Sequence, residues 1–470
     1  MTKTSVPFLR DTYSECVYSA CGLTIDIGRQ RLTRDDLTGL FELARSRGVL
    51  QAEEAMRDGA IVNPSEGRAA LHTTLRDQRV EAPFHREVTA TLNRLCSFAD
   101  AVRCGRIRGC RGDAITDVIN VGIGGSEMGP RTVYNALKGV KSNIKLHFLA
   151  AADGVIFDRI VGTLNPFKTL VIVSSKSFKT RETAVNAAAI DQWLLEAGIS
   201  GADRAHHMVV VSANPKAAQE MNLPEANLFP LWEWVGGRFS VWSSIGLPDA
   251  IALGSDAFRN LLSGAHAMDR HVETSPEEEN LPLLLALMSY WNSTRLKIAL
   301  HCFLPYDERL RTMVSWLQQL EMESLGKSVT PEGKAITTRT GQGVWGGHGN
   351  ESQHSFYQWL REGTYCNCMD LLWSEKPGHK HAELHRVLLA NAKAQAEALV
   401  TRDSAEYFNA VTTIAIDDLT PARLGALMAL YEHKTTMLGT LYGINPFDQP
   451  GVEFGKLLSR RAEAGMAAGK

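Results

Sequence analysis

The chain has 470 residues, 44% hydrophobic and 22% charged, the composition of a folded globular protein and more than one ordinary core can serve, so two large domains are expected. Fifty Lys and Arg against 52 Asp and Glu give a formal net charge of -2, so no long-range positive field would hold nucleic acid or an anionic membrane. The longest apolar run, Leu281 to Met288, is far short of a membrane span, and the eight cysteines lack paired metal-knuckle spacing and read as reduced thiols.

At the N-terminus, Met1 to Asp11 lacks the apolar core of a signal peptide, and a soluble cytosolic protein is expected. Short apolar, β-branched runs then alternate with helical stretches: strands at Asp117 to Ile123, Lys145 to Leu149, Thr169 to Ser174 and His207 to Ser212, helices at Thr132 to Leu137 and Glu182 to Ala197. That alternation predicts βαβ units around a parallel sheet buried on both faces, a doubly wound α/β domain. From Asp269 to Asn280 the composition turns to charged and turn-forming residues, which reads as a connection. A second unit opens with a helix from Leu281 to about His301 and continues with helices at Ala382 to Leu399 and Ala422 to Leu438. The two-unit outline suggests an internal duplication, although no short sequence period accompanies it.

Two loops carry anion chemistry. In Val121-Gly122-Ile-Gly124-Gly125-Ser126-Glu-Met-Gly129-Pro130 a strand runs into glycines, a hydroxyl and a helix start, where backbone amides without internal partners can approach an anion. A dinucleotide fingerprint fails because Glu127 stands where the third glycine belongs, and a Walker loop fails because Pro130 follows Gly129. Such a turn can also serve packing alone. The second loop, Ser174-Ser175-Lys176-Ser177-Phe-Lys179-Thr180, again follows a strand and precedes a helix, placing hydroxyls and cations where open α/β sheets bind ligands. Together the two loops predict a small phosphate or sulfonate site. Cys366-Asn-Cys368 and His379-Lys-His381-Ala-Glu-Leu-His385 are metal-like in composition but match no zinc spacing, so neither metal nor other cofactor is expected.

These residues, with Asn63 to His72, Ser175 to Asn186, Trp232 to Pro248 and Gly443 to Lys456, resemble the glucose-6-phosphate isomerase family in ordered blocks over most of the chain. The resemblance implies an α/β fold of two doubly wound parallel-sheet sugar-isomerase (SIS) domains, αβα sandwiches with helical terminal segments. The bounds expected are a helical segment 1–89 packing on the second domain, a first domain 90–265 with the phosphate loops, a second domain 275–440, and a C-terminal segment 441–470.

The reaction implied moves a carbonyl between C1 and C2 of a hexose phosphate through an enediolate, which one carboxylate can serve by taking and returning a proton. By resemblance Glu323 is that base, Arg238 opposes the oxyanion, and His354, reaching across from the partner of a homodimer, opens the sugar ring with Lys456. Gly125, Ser126, Ser175, Lys176, Ser177 and Thr180 would hold the phosphate, and Gln319 and Gln449 the sugar or phosphate. Read without the family, Glu323 is a helix-surface glutamate, Arg238 half of an ion pair, and His354 a structural histidine.

Three positions depart from the family pattern: Ser177 for threonine, Leu325 for asparagine, and the segment Trp345 to Gln353. With Lys179 and Arg181 beside the anion loop, they keep another acidic hexose open as substrate, a sulfonated hexose or mannose 6-phosphate. A non-catalytic sugar-phosphate sensor is the alternative of a different class.

Overall fold

Five short strands, β3 (Asp117–Val121), β4 (Lys145–Leu149), β5 (Thr169–Ser174), β6 (Met208–Ser212) and β7 (Leu228–Pro230), form a wholly parallel sheet in the order β4-β3-β5-β6-β7; β4, at one edge, exposes Lys145, whereas the central β3, β5 and β6 are rich in Val, Ile and Leu and buried on both faces. Such strands are stable only when helices cover both faces. The computed structural model that shows this describes residues 7–139, 143–401 and 407–468. Residues 1–6 of the stretch read as leaderless, and the last two residues of the 441–470 segment, lie outside them.

A second sheet has six strands in the order β1-β2-β11-β10-β8-β9: β1 (Val17–Ala20), β2 (Leu23–Arg29), β8 (Leu300–Pro305), β9 (Gly343–Gly346), β10 (Asn367–Ser374) and β11 (Asn409–Ile416). Strands β8 to β11 are mutually parallel, and the β1/β2 hairpin adds antiparallel to β11. Numbered within each unit, both parallel sheets run 2-1-3-4, and β2 takes beside β11 the place that β7 takes beside β6. The duplication expected from the outline is therefore a shared strand order. In each sheet that order reverses beside the first strand, and ligands of open α/β sheets bind at such switch points.

Three expectations are corrected. The 1–89 segment is not purely helical, because the alternating Leu23-Thr-Ile-Asp-Ile27 buries one face as a strand. The helix expected from Leu281 to about His301 stops at Thr294; Lys297 turns the backbone into the left-handed region (φ 59°), and β8 begins at Leu300. The charged stretch from Asp269 is no linker at its start, since the helix Ser255–Thr274 runs through it and buries Asp269 against Arg76, Nη2 to Oδ1 2.7 Å.

The helices used below are α1 (Gly125–Leu137), α2 (Arg181–Glu196), α3 (Ser255–Thr274), α4 (Leu281–Thr294), α5 (Pro421–Tyr442) and α6 (Pro450–Ala468). Helix α5 is buried from Leu424 to Gly439 and joins the two units in one core with Val118, Leu170, Leu372 and Ile414. A Cβ on Gly264 would lie 1.8 Å from Ala422 O, and one on Gly425 2.0 Å from Leu261 O, so α3 and α5 cross at backbone contact. The polar residues of α5 are paired: Glu432 with Arg76 at 2.7 Å, Lys434 with Glu321 at 2.8 Å, and His433 with Glu53 and Asp269 at 2.6 and 2.8 Å. Buried charges are tolerated on these terms.

Candidate active site

Strand β3 ends at Val121, and the chain turns through Gly124 (φ 61°) into α1, whose first amides lie in Gly125 and Ser126. Behind this turn Asn120 Nδ2 donates to Ser126 O (2.9 Å) and Ser174 Oγ to Asn120 Oδ1 (3.1 Å), tying the loops after β3 and β5 together at the switch point. The glycines are required by what lies in front. A Cβ on Gly125 would be 2.0 Å from Gly237 O, and one on Gly124 3.1 Å from Gln319 Nε2. Three segments distant in sequence thus converge on the first turn of α1.

Gly237 leads into Arg238, which is 5% exposed. Its Nε donates to Ser324 Oγ (2.6 Å), Nη1 to Gln449 Oε1 (3.0 Å), and Nη2 to Pro446 O and to Asp448 O (3.3 Å). Nη1 also stands 3.6 Å from Glu323 Oε2. Burial pulls the guanidinium pKa down, opposed by the Glu323 and Asp448 carboxylates; an arginine remains charged there.

Glu323 follows a π-helical turn, Gln318–Met322, set between the helical Met313–Leu317 and Glu323–Leu325. Single π turns recur at functional sites because they re-aim side chains within a helix. Here Glu321 points into the core, with Oε1 at 2.8 Å from Lys434 Nζ and Oε2 at 3.8 Å from His301 Nδ1, while Gln319 and Glu323 stay half-buried on the side of Gly124 and Arg238.

Lys176 reaches toward the same arginine from the second loop. Its Nζ donates to Glu233 O (2.7 Å) and Val235 O (2.9 Å), just before Gly236 and Gly237, and burial lowers its pKa. The hydroxyls of this loop are less engaged. Among the described residues Ser175 Oγ, buried, has no hydrogen-bond partner and Thr180 heads α2 without a side-chain cap bond, while Ser177 is exposed and its Oγ accepts Lys179 N (3.3 Å). Ser175 and Thr180 line a cavity of about 250 Å³ with Phe178, whose φ is 56°.

The structure therefore gathers Gly125, Arg238, Gln319, Glu323 and Gln449, with Ser126 and Lys176 beside them. It leaves His354 exposed in the turn after Gly349–Ser352, and Lys456 at an exposed position on α6. Sequence reasoning missed Lys327, Ser324 and Asp448, which with Arg238 bond the Glu323 segment to residues 446–449. A basic residue just past a short helix was the available signal for Lys327.

The departures from the family pattern are placed as follows. Leu325 is 1% exposed and belongs to the core rather than the cleft, and Trp345 packs on Phe356 and Trp359. Arg181, counted as charge for an acidic substrate, pairs with Glu463 on α6 through Nε at 2.9 Å. Among the described residues the group close enough to hold a metal ion is Glu308, His348 and Glu351, not the cysteine or histidine clusters of the sequence, and Arg311 bonds both of those carboxylates.

The phosphoglucose isomerase family model matches residues 26–470. Glucose-6-phosphate isomerases of Burkholderia ambifaria and Burkholderia multivorans are each 42% identical to the chain, over 95% and 96% of it and 87% of their own lengths. The crystal structure of a glucose-6-phosphate isomerase from Chlamydia trachomatis superposes with a TM-score of 0.88 at 31% identity, covering 97% of this chain and 90% of that one.

Proposed function

The chain belongs to the phosphoglucose isomerase family, and from that membership we propose that it interconverts D-glucose 6-phosphate and D-fructose 6-phosphate with Glu323 as the base. The observation that carries the assignment of the base is Arg238 Nη1 at 3.6 Å from Glu323 Oε2, beside the glycine turn of α1 that Gly237 and Gln319 approach.

In this reading the substrate phosphate lies against the first amides of α1 and the 175–180 loop. A helix start contributes about 0.3–1 kcal/mol to holding an anion, up to roughly 2 when partly buried, so Ser126, Ser175, Lys176, Ser177 and Thr180 must share the work. The partnerless Ser175 Oγ is a hydroxyl still free to donate. Ring opening comes first: a proton goes to the ring oxygen and another leaves the C1 hydroxyl. That work falls to His354 of a second copy in a homodimer, with Lys456; the exposure of His354 supports delivery across an interface.

Glu323 then removes the proton from C2 of the open aldose, and the C–H electron pair becomes the C1=C2 bond of the enediolate. Arg238 opposes the negative charge that gathers on oxygen, where such a donor is worth about 2.7–4 kcal/mol in comparable roles. A proton passes from the C2 hydroxyl to the C1 oxygen, C2–O becomes the new carbonyl, and Glu323 returns a proton to C1, its own or one exchanged with water, which completes the ketose with Gln319 and Gln449 holding the sugar. Each step conserves electrons and needs no redox partner. No described helix is long and apolar enough to cross a membrane, and a cytoplasmic place suits this reaction.

The test follows glucose 6-phosphate by NMR in deuterated water with EDTA. Conversion to fructose 6-phosphate with deuterium entering at C1, abolished in Glu323→Gln, is the expected result. A folded wild-type chain that leaves glucose 6-phosphate unchanged rejects the reading.

A further inference from the structure

Lys327 lies one turn past the base, half-buried, and its ammonium makes none of its bonds to the cleft. Nζ donates to the carbonyls of Glu323, Ser324 and Asp448, each at 2.9 Å, and stands 3.4 Å from Asp448 Oδ1. Three protons meet three backbone acceptors, so nothing remains to bind a ligand. Two of those acceptors belong to the last turn of the base-bearing helix, where carbonyls have no partner within the helix. The third belongs to the loop that ends in Gln449.

Arg238 grips the same loop from the other side, through Pro446 O, Asp448 O and Gln449 Oε1. The charged groups facing one another here are Arg238, Lys327, Glu323 and Asp448, two of each sign. Asp448 Oδ2 is anchored in turn by Ser65 Oγ (2.6 Å) and Asn445 Nδ2 (3.0 Å). Removing the Lys327 charge would leave this partly buried cluster net negative and the carbonyls of Glu323 and Ser324 short of a donor, Asp448 O keeping only Arg238 Nη2, a situation proteins avoid.

We propose that Lys327 is a positioning residue of the isomerase reaction, an ammonium that fixes the base-bearing turn and the Gln449 loop to one another. The proposal rests on the isomerase reading above. It acts through Glu323 and Gln449 and never touches substrate. A base displaced by an ångström can lose about 100-fold in rate. Burial, with Arg238 beside it, pulls the Lys327 pKa down to about 8, which Asp448 and Glu323 only partly offset; deprotonation would leave two protons for three acceptors, so the register should loosen on the alkaline side.

The experiment compares wild type with Lys327→Met and Lys327→Arg, using glucose 6-phosphate deuterated at C2. Lys327→Met is expected to lose kcat by about 10- to 100-fold, with KM changed less than about threefold. It should also carry less deuterium from C2 to C1, because a loosely held base exchanges with water before returning its proton. A purely structural lysine would not alter that partition. A folded Lys327→Met with kcat within about twofold of wild type and unchanged label transfer overturns the proposal. Should Lys327→Met fail to accumulate folded, Lys327→Arg decides: it keeps the charge at all accessible pH, so the alkaline limb of kcat should move up, and a limb superimposed on wild type overturns the proposal. Wild type without isomerisation rejects the reaction itself, a different outcome from active Lys327→Met.

Discussion

Arg238 Nη1 stands 3.6 Å from Glu323 Oε2 while the other donors of the same guanidinium are taken by Ser324, Pro446, Asp448 and Gln449. The arginine is thereby held in one orientation, and the carboxylate faces a fixed positive charge rather than a swinging one. Preorganised charge of this kind costs no rearrangement when an oxyanion develops.

Glu323→Gln keeps the shape of the side chain and removes its basicity. The turnover number for glucose 6-phosphate should fall by about 10²–10⁴-fold, the usual contribution of a positioned general base. KM should change little, since Ser126 and the 175–180 loop, not Glu323, are assigned the phosphate. Steady-state kinetics with a coupled assay check this; a variant with more than about a tenth of wild-type kcat would remove Glu323 from its role.

Arg238→Lys retains a charge but not the planar fork, and a lysine offers three protons where four hydrogen-bond acceptors are now served. Losing an oriented oxyanion donor predicts about 100- to 1,000-fold lower kcat. Stability should drop as well, because the carbonyl of Pro446 loses its buried partner, at about 1–3 kcal/mol for an unsatisfied group, while Asp448 O keeps Lys327. Kinetics and a urea melt on one preparation separate the two effects.

Gly125→Ala asks whether the glycine turn is needed for its approach to Gly237. The new Cβ would lie 2.0 Å from a backbone oxygen, so one of two backbones must shift. We expect weaker phosphate binding, read as a KM raised by about tenfold or more and a matching loss of competitive inhibition by inorganic phosphate. Conversion of an overpacked contact into strain costs about 1–3 kcal/mol, and the shift in melting temperature should be correspondingly modest.

How much of this could be read beforehand follows from the kind of signal each part carries. Strands β3, β5 and β6 were legible because parallel strands buried on both faces are near-continuous runs of Val, Ile and Leu. Strand β8 was not, since Leu300 to Pro305 follows α4 with no Gly or Pro between them, and the break rests on the left-handed backbone of Lys297. At the site, the glycine turn and Glu323 were visible as local patterns or through the family. The clamp of Arg238 and Lys327 on residues 446–449 was not, because it joins segments more than 100 residues apart through backbone carbonyls, which leave no trace in side-chain identity.

Burial alone would push His433 down, but its hydrogen bonds to Asp269 and Glu53 prevail and hold it up at about 9. Burial likewise opposes the proton on His301, and Asp370 with Glu321 raises it to about 8. Both histidines bind protons more tightly folded than unfolded, where 6.5 is the ordinary value. Their stabilisation is thus complete below about pH 6.5 and fades as pH rises toward 8 and 9. Lys327 has the opposite sign, since its folded pKa of about 8 lies below 10.5, so above pH 8 it offsets part of the loss. Urea midpoints should therefore fall from pH 6.5 to 8 and flatten beyond. In His433→Gln the whole curve should drop, by about 3–5 kcal/mol if Glu53 and Asp269 stay charged without their partner, and the slope between pH 6.5 and 8 should shrink to that of His301. A slope unchanged in His433→Gln would mean that the imidazole is not protonated in the folded chain, and that the Glu53 and Asp269 carboxylates are stabilised by Arg76 and Thr436 instead.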